Sequence, residues 1–169
     1  MKIIKIITLS FLLFTLSCSN SSDDTEDKKN EVNQIVGYWV LSDFVIDTSI
    51  TPEKQEEALG LQTALPNLAC YVLSIDLRAD NTVTLEVAVL DLVINTNPTN
   101  PIYTCVDVNE QIGTWSFEDN TLTLTSTGGL SDSATVRFVG DRAAYVSADP
   151  FGELSDIATE LLFEKFIEI

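Results

Sequence analysis

Apolar and polar residues alternate with a period of two along much of the chain, which points to sheet structure. Between Tyr71 and Arg78 every odd position is large and apolar, whereas three of the four even positions are polar. Such alternation indicates a β-strand with one buried face. After a turn at Ala79–Asn81 the alternation resumes over Thr82–Val89, so the two segments are predicted to form a hairpin. Beyond Val89 the parity shifts, which predicts a bulge or the end of strand pairing.

Further strands follow the same pattern along the rest of the chain. Turns containing Asp, Asn or Gly separate several of them. The segment Asn95–Pro101 contains two prolines, which lack amide donors, and is predicted to be an exposed loop. The remaining predicted strands are Val36–Ile46, Ile112–Phe117, Thr121–Thr125, Ser133–Val139, Ala143–Ser147 and Leu161–Ile169.

Two segments that interrupt the strands are predicted to be short helices. The first, Pro52–Leu59, has Thr51 as its N-cap and proline at the first helical position, and Gly60 follows as a stop signal. The second, Gly152–Thr159, is predicted to form a short helical turn before the last strand.

The count of eight or nine short antiparallel strands predicts an all-β fold, either a barrel or a sandwich. Because most strands are joined by short turns, their order favours an up-and-down β-barrel with one or two short helices. Closure of the sheet also removes exposed edges. The interior of an eight-stranded barrel is just wide enough to be filled by side chains or to hold one small ligand, and the sequence leaves this choice open.

The N-terminus has the layout of a secretory signal. Two lysines precede an apolar stretch from Ile6 to Leu16, which is shorter than the roughly 20 residues that a membrane-spanning helix needs. Ser17 and Cys18 follow, in an order similar to the lipobox of bacterial lipoproteins, although Leu16 stands one place later than in the commoner pattern. We predict that residues 1–17 are a lipoprotein signal peptide and that Cys18 is lipidated. A plain signal peptide or a retained anchor is the alternative.

Residues 18–33 are predicted to be the lipidated cysteine and a disordered acidic tether. Ser19–Asn33 has a single apolar residue, Val32, and so cannot bury enough surface to offset the entropy of the chain. The acidic cluster Asp23–Asp27 is similar to the export signals that place some lipoproteins of the Bacteroidota on the cell surface, and a solvated linker is the alternative. We expect an exported protein held at the outer membrane by the lipid on Cys18, with its folded domain at residues 34–169.

The charge balance and residue types exclude several classes of function. The chain has 26 Asp and Glu, 9 Lys and Arg and no His, for a net charge of −17, which repels nucleic acid. Without His it lacks the commonest general base and zinc ligand, and it has no Gly-x-Ser-x-Gly elbow, phosphate-binding loop or calcium loop. We therefore predict neither an enzyme nor a bound cofactor or metal.

Two cysteines, Cys70 and Cys105, remain after Cys18 is assigned to lipidation. An even number of cysteines in an oxidising compartment indicates a disulfide, and two buried free thiols are the alternative.

Several motifs occur in order along the folded part. Gly37–Trp39 forms a Gly-x-Trp at the start of the first strand, Cys70 opens a later strand, and Cys105 precedes the segments Gly113–Phe117 and Asn120–Leu124. This order resembles the lipocalin-like domain of lipoproteins of the Bacteroidota. The resemblance covers the whole folded part, and it implies an up-and-down barrel that binds a small, mainly apolar molecule.

The inward positions of the predicted strands supply the candidates for a barrel interior or a ligand lining. These residues would serve a filled core equally well. The second hypothesis is therefore a surface interaction module, a packed barrel whose loops contact a protein or glycan partner. A third, an enzyme with two converging carboxylates, is disfavoured because Asp76, Glu86 and Asp107 are expected to face solvent. The candidate interior residues are Trp39, Tyr71, Leu73, Ile75, Leu85, Val87, Trp115, Phe117, Phe138 and Tyr145.

Overall fold

The computed structural model, which describes residues 34–93 and 102–166, is a closed antiparallel barrel of eight strands. Each strand pairs with the next along the chain, and β8 closes the barrel by pairing with β1. The predicted up-and-down barrel is thus confirmed. The strands are β1 (Gly37–Ile46), β2 (Leu73–Leu77), β3 (Thr82–Val93), β4 (Ile102–Glu118), β5 (Thr121–Ser126), β6 (Ser131–Val139), β7 (Ala143–Ser147) and β8 (Ala158–Lys165).

The hairpin between β2 and β3 forms as predicted, and local hydrogen bonds explain its tight turn. Asn81 adopts a positive φ of 67°, a conformation that Asn tolerates better than most residues. The Asp80 carboxylate accepts hydrogen bonds from the amide and hydroxyl of Thr82, and these bonds lower the pKa of Asp80. The turn sets the register in which Leu77 lies opposite Val83.

The predicted change of parity after Val89 corresponds to a β-bulge in the pairing of β3 with β4. Val89 pairs with Asp107 and Leu90 pairs with Cys105, so Val106 is an extra residue on β4. Both strands are longer than the predicted segments, since β3 continues to Val93 and β4 begins at Ile102. The predicted loop at 95–101 lies outside the described residues.

The first helix, α1 (Pro52–Ala64), is longer than predicted. Thr51 is its N-cap, and its hydroxyl oxygen accepts a hydrogen bond from the amide of Lys54, 3.5 Å away. Gly60 does not end the helix, because the apolar positions beyond it pack against the core and outweigh the cost of about 1 kcal/mol for an interior glycine. The helix passes into a 3₁₀ turn at Leu65–Asn67, which contains a proline.

The second predicted helix and the last strand both begin earlier in the chain than expected. The helical segment is a 3₁₀ element at Asp149–Asp156, interrupted at Gly152, where φ is 59°. β8 follows directly, and Leu161 and Phe163 face inward as predicted. The predicted continuation to Ile169 lies partly beyond the described residues.

A single hydrophobic core lies inside the barrel and extends to α1. The largest fully buried side chains are those of Phe163, Leu73 and Leu161. At one end of the core lies Ile35, just before β1, and at the other lies Ala58 of α1, which is completely buried. None of the helices in the described part of the chain is long and apolar enough to cross a membrane.

Candidate functional site

Most of the candidate interior residues lie where the alternation places them. Trp39, on β1, is only 3% exposed. A second group is partly buried and packs against this core: Leu85, Val87 and Phe138. The other buried candidates are Leu73, Ile75, Trp115 and Phe117.

Two of the candidates, Tyr71 and Tyr145, do not face the interior, so for them the prediction is wrong. Tyr71 is 47% exposed because β2 begins only at Leu73, and the alternation of the strand does not extend back to it. Tyr145 lies on β7, whose buried positions are the smaller residues Ala144 and Val146. Its ring instead packs beneath the guanidinium of Arg137, 4.3 Å from the ring centroid.

Trp39 closes one end of the barrel, which we call the closed end. Its indole N–H donates a hydrogen bond of 2.7 Å to the carbonyl of Ile35. Its ring centroid lies 6.4 Å from that of Phe138, across the interior. The indole is therefore held by a hydrogen bond at its rim and by aromatic packing on the side that faces the core.

Lys165 also lies against Trp39, a contact that sequence analysis missed. Its ammonium lies 5.2 Å from the ring centroid of Trp39 and donates a 2.9 Å hydrogen bond to the carbonyl of Gln34. Burial lowers the pKa of this ammonium. Gly37 makes the approach possible, since a Cβ there would clash with Cε of Lys165, and its φ of +143° favours glycine.

The interior near Trp39 contains a residual cavity of about 20 Å³, bordered by aliphatic and aromatic side chains. This volume suffices for about one water molecule and is far below the roughly 300–1,000 Å³ of small-molecule sites. The lining includes Ile75, Leu122, Phe138 and Phe163.

α1 and a disulfide cover the other end of the barrel, the mouth. α1 contacts β1 and β4, which are three strands apart, so it crosses the mouth. The side-chain amide of Gln62 donates 2.7 Å hydrogen bonds to the carboxylate of Asp43 and to the carbonyl of Phe44. The predicted disulfide is present: Cys70, which lies between α1 and β2, is bonded to Cys105 of β4.

Three aromatic rings cluster on the outer wall beside the closed end. The centroids of Tyr38, Tyr71 and Phe166 lie 6.1–6.4 Å apart, with edge-to-face geometry. Tyr71 and Phe166 are each about half exposed, at 47% and 48%. We call these three residues the aromatic cluster. Sequence analysis missed it because its members come from separate elements and meet only when β1 pairs with β2 and β8.

A carboxylate lies beside the aromatic cluster. Glu86 accepts hydrogen bonds from the Tyr38 hydroxyl at 3.1 Å and from the buried Ser74 hydroxyl at 2.7 Å. Burial, the largest cause, raises the pKa of Tyr38; the Glu86 carboxylate adds to the rise and the Ser74 hydrogen bond opposes it. Glu86 is half-buried and hydrogen-bonded, so the prediction that it faces solvent is wrong. Asp107 is exposed, as predicted.

Metal-ligating side chains do not converge in the described residues: no group of three or more His, Cys, Asp or Glu there is arranged to hold a metal ion. Comparison of the chain with protein-family models, with curated proteins and with solved structures finds no match. The lipocalin-like resemblance therefore stays a prediction, and only the barrel architecture that it implies is observed.

Proposed function

We propose that this protein is an exported, lipid-anchored, non-enzymatic interaction module, whose packed barrel presents its outer surface to a protein or glycan partner. The observation that carries this proposal is the close packing of the interior around Trp39. The 20 Å³ cavity beside Trp39 is too small for a small-molecule ligand, and its border offers only apolar side chains. Ligand sites usually add a few polar groups that orient the ligand.

The second function, a barrel that carries a small apolar molecule, is favoured only by its resemblance to lipocalin-like domains. It would require the core to open. The most direct route, through the mouth, is covered by α1, whose Ala58 is completely buried. The Cys70–Cys105 disulfide also ties the segment after α1 to β4. These restraints support a closed barrel that acts through its surface.

The aromatic cluster is the best candidate for a contact surface near the closed end. Aromatic residues are enriched at the centres of protein interfaces, because a rigid ring buries a large area at a low cost in conformational entropy. Tyr71 and Phe166 present about half of their surfaces to solvent. Tyr38 and Glu86 hold the base of the cluster through their hydrogen bond.

The anchor would join the barrel at its closed end. Gln34, which follows the predicted tether, donates a 3.1 Å hydrogen bond to the carbonyl of Gly140 and accepts one from Lys165. A flexible tether of the length of Ser19–Asn33 has a reach of about 20 Å. The lipid anchor would therefore be joined to the folded domain through its closed end.

We expect Cys18→Ser to abolish lipid attachment, because this thiol is the predicted acylation site. The measurement is incorporation of a labelled fatty acid during expression in a bacterial host with lipoprotein processing, followed by membrane fractionation. Cys70→Ser is the matched control, and it should retain the label. Label on the Cys18→Ser protein would contradict the lipoprotein assignment.

We expect native mass spectrometry of the unlipidated mature chain, expressed in its own host without the signal and gently purified, to give the mass of the protein alone. The close packing of the interior around Trp39 is the reason. A neutral apolar dye should likewise show no fluorescence enhancement, and the Trp39→Ala variant serves as the control in which an interior space has been created. A retained small molecule that is lost on unfolding would overturn the surface function and favour the carrier.

A further inference from the structure

The β3–β4 hairpin extends beyond β5, the strand on the other side of β4. One side of β4 is therefore left without a described strand. β3 pairs with β4 from Ile102 to Thr114, whereas β5 pairs with β4 only from Gly113 onward. β5 ends at Ser126, opposite Gly113. We call residues 106–112 of β4 the free edge. On this side, the described residues include no strand that pairs with it.

The free edge presents backbone hydrogen-bonding groups to its open side. The amide of Trp115 donates to the carbonyl of Asn81, on the side of β3. Because successive residues of an antiparallel strand direct these groups to alternate sides, the groups of Val108, Glu110 and Ile112 point away from β3. The amide of Val108 agrees with this direction, since it donates not to β3 but to the carboxylate of Asp107, 2.8 Å away.

The side chains along the free edge combine exposed aliphatic residues with carboxylates. Val106, Val108 and Ile112 are 59%, 49% and 54% exposed. Between them lie the exposed side chains of Asp107 and Glu110. Large aliphatic side chains at this exposure are normal singly, but here three of them lie along one strand that is paired on a single side among the described residues.

The charge around the free edge has one sign. Glu110 is paired in register with Glu86 of β3, whose carboxylate is turned towards β2 by its hydrogen bonds to Tyr38 and Ser74. Strands β2 to β5 contain no Lys or Arg. Their acidic residues are Asp76, Glu86, Asp91, Asp107, Glu110 and Glu118.

The negative charge on these strands favours one of the two kinds of partner that an open strand edge can bind. A second copy of the chain would bring two acidic edges together, and charged residues at an edge commonly serve to prevent such pairing. An extended segment with alternating Lys or Arg would instead place positive charge beside Glu110 while its backbone pairs with β4.

We propose that the free edge binds an extended, cationic segment of a partner protein by β-strand addition. The backbone groups of Val108, Glu110 and Ile112 form the new ladder. The basic side chains of the partner lie beside Glu110, and its aliphatic side chains cover the exposed Val108 and Ile112. This inference rests on the proposed function, because it names one surface through which the packed barrel would act.

The test uses an end-blocked peptide of alternating lysine and valine, as long as the free edge, titrated into the unlipidated mature chain by calorimetry at low salt. We expect saturable binding, with slowed amide hydrogen exchange at Glu110 and Ile112. Glu110→Lys should weaken binding about fivefold or more, as expected when an attractive surface charge becomes repulsive. Asp141→Lys, an equal charge change in the exposed β6–β7 turn, should weaken it less than about twofold.

Two control peptides separate strand addition from general attraction between charges. Each is N-methylated at alternate residues, one in each phase, so that at least one of them cannot form the ladder and should lose binding. The proposal is overturned by equal effects of Glu110→Lys and Asp141→Lys, by unchanged binding of both methylated peptides, or by no binding at all. Dimerisation of the chain through the free edge would also overturn it, in favour of a second copy.

These outcomes can be distinguished from failure of the proposed function. If the peptide does not bind and the interior still holds no small molecule, only the inference about the free edge is lost. If a small molecule is retained in the barrel, the proposed surface function fails whatever the peptide does.

Discussion

Replacing Trp39 with alanine is expected to lower the free energy of unfolding by about 3–5 kcal/mol, the usual range for a large aromatic residue removed from a packed core. Trp39 is 3% exposed, and its indole donates to the carbonyl of Ile35 and packs against Phe138. The substitution removes this burial, leaves that carbonyl without its donor and enlarges the cavity at the closed end. Urea unfolding of the unlipidated mature chain, followed by circular dichroism, measures the loss.

Tyr71→Ala is the matched control for Trp39→Ala. Both were candidate interior residues, but Tyr71 lies half-exposed in the aromatic cluster, and its removal should cost less than about 1 kcal/mol. Similar losses for the two variants would contradict the described positions of these side chains. If Trp39→Ala costs little and leaves the fold intact, Trp39 does not lie in a packed interior, and the main support for a surface function is lost.

Removing the disulfide with the double variant Cys70→Ser, Cys105→Ser is expected to lower the free energy of unfolding by about 3.5–4 kcal/mol. The bond joins residues 35 positions apart, and in the chain-entropy model a loop of that length restricts the unfolded chain by this amount. The measurement is denaturant unfolding of the oxidised protein and of the double variant, from which the difference in free energy is taken.

The reduced parent protein supplies the control for the disulfide variant. Its free energy of unfolding should match that of the double variant, apart from the small effect of replacing two half-buried thiols with hydroxyls. Reductant should not change the free energy of unfolding of the double variant. A reductant effect of less than about 1 kcal/mol on the parent would mean that the bond does not restrict the unfolded chain as the model expects. The same comparison with amide exchange would show whether α1, which covers the mouth, depends on the bond.

The close packing around Trp39 bears on how the lipocalin-like resemblance is interpreted. The eight-stranded up-and-down architecture that it implies is present. The ligand that it also implies would require a hollow interior, whereas the space beside Trp39 is about 20 Å³. Because large inward side chains are needed in either case, the same fold can serve as a container or as a scaffold. The proposed function and the proposed role of the free edge both assume that the barrel serves as a scaffold.

Local patterns in the sequence were enough to predict the strands, most of their inward faces, the bulge after Val89 and the disulfide. The strands and their faces could be predicted because side chains alternate across a strand with a fixed period. Burial of one face therefore produces an alternating apolar pattern in the sequence. The prediction of inward faces was wrong for two tyrosines, at positions where the larger side chain is not the buried one. Tyr71 precedes its strand, and on β7 the smaller Ala144 and Val146 are buried while the larger Tyr145 lies outside.

The tertiary structure alone decided the features on which function depends. Lys165 reaches Trp39, the aromatic cluster assembles and β4 runs beyond β5 because closure of the barrel brings together strands from distant parts of the chain and staggers their ends. Whether the inward residues fill the interior is likewise a matter of volume and shape across all eight strands. No single segment of the sequence contains that information. The sequence therefore determined the barrel, and the packing of its strands determined how closely Trp39 is surrounded and how far β4 runs beyond β5.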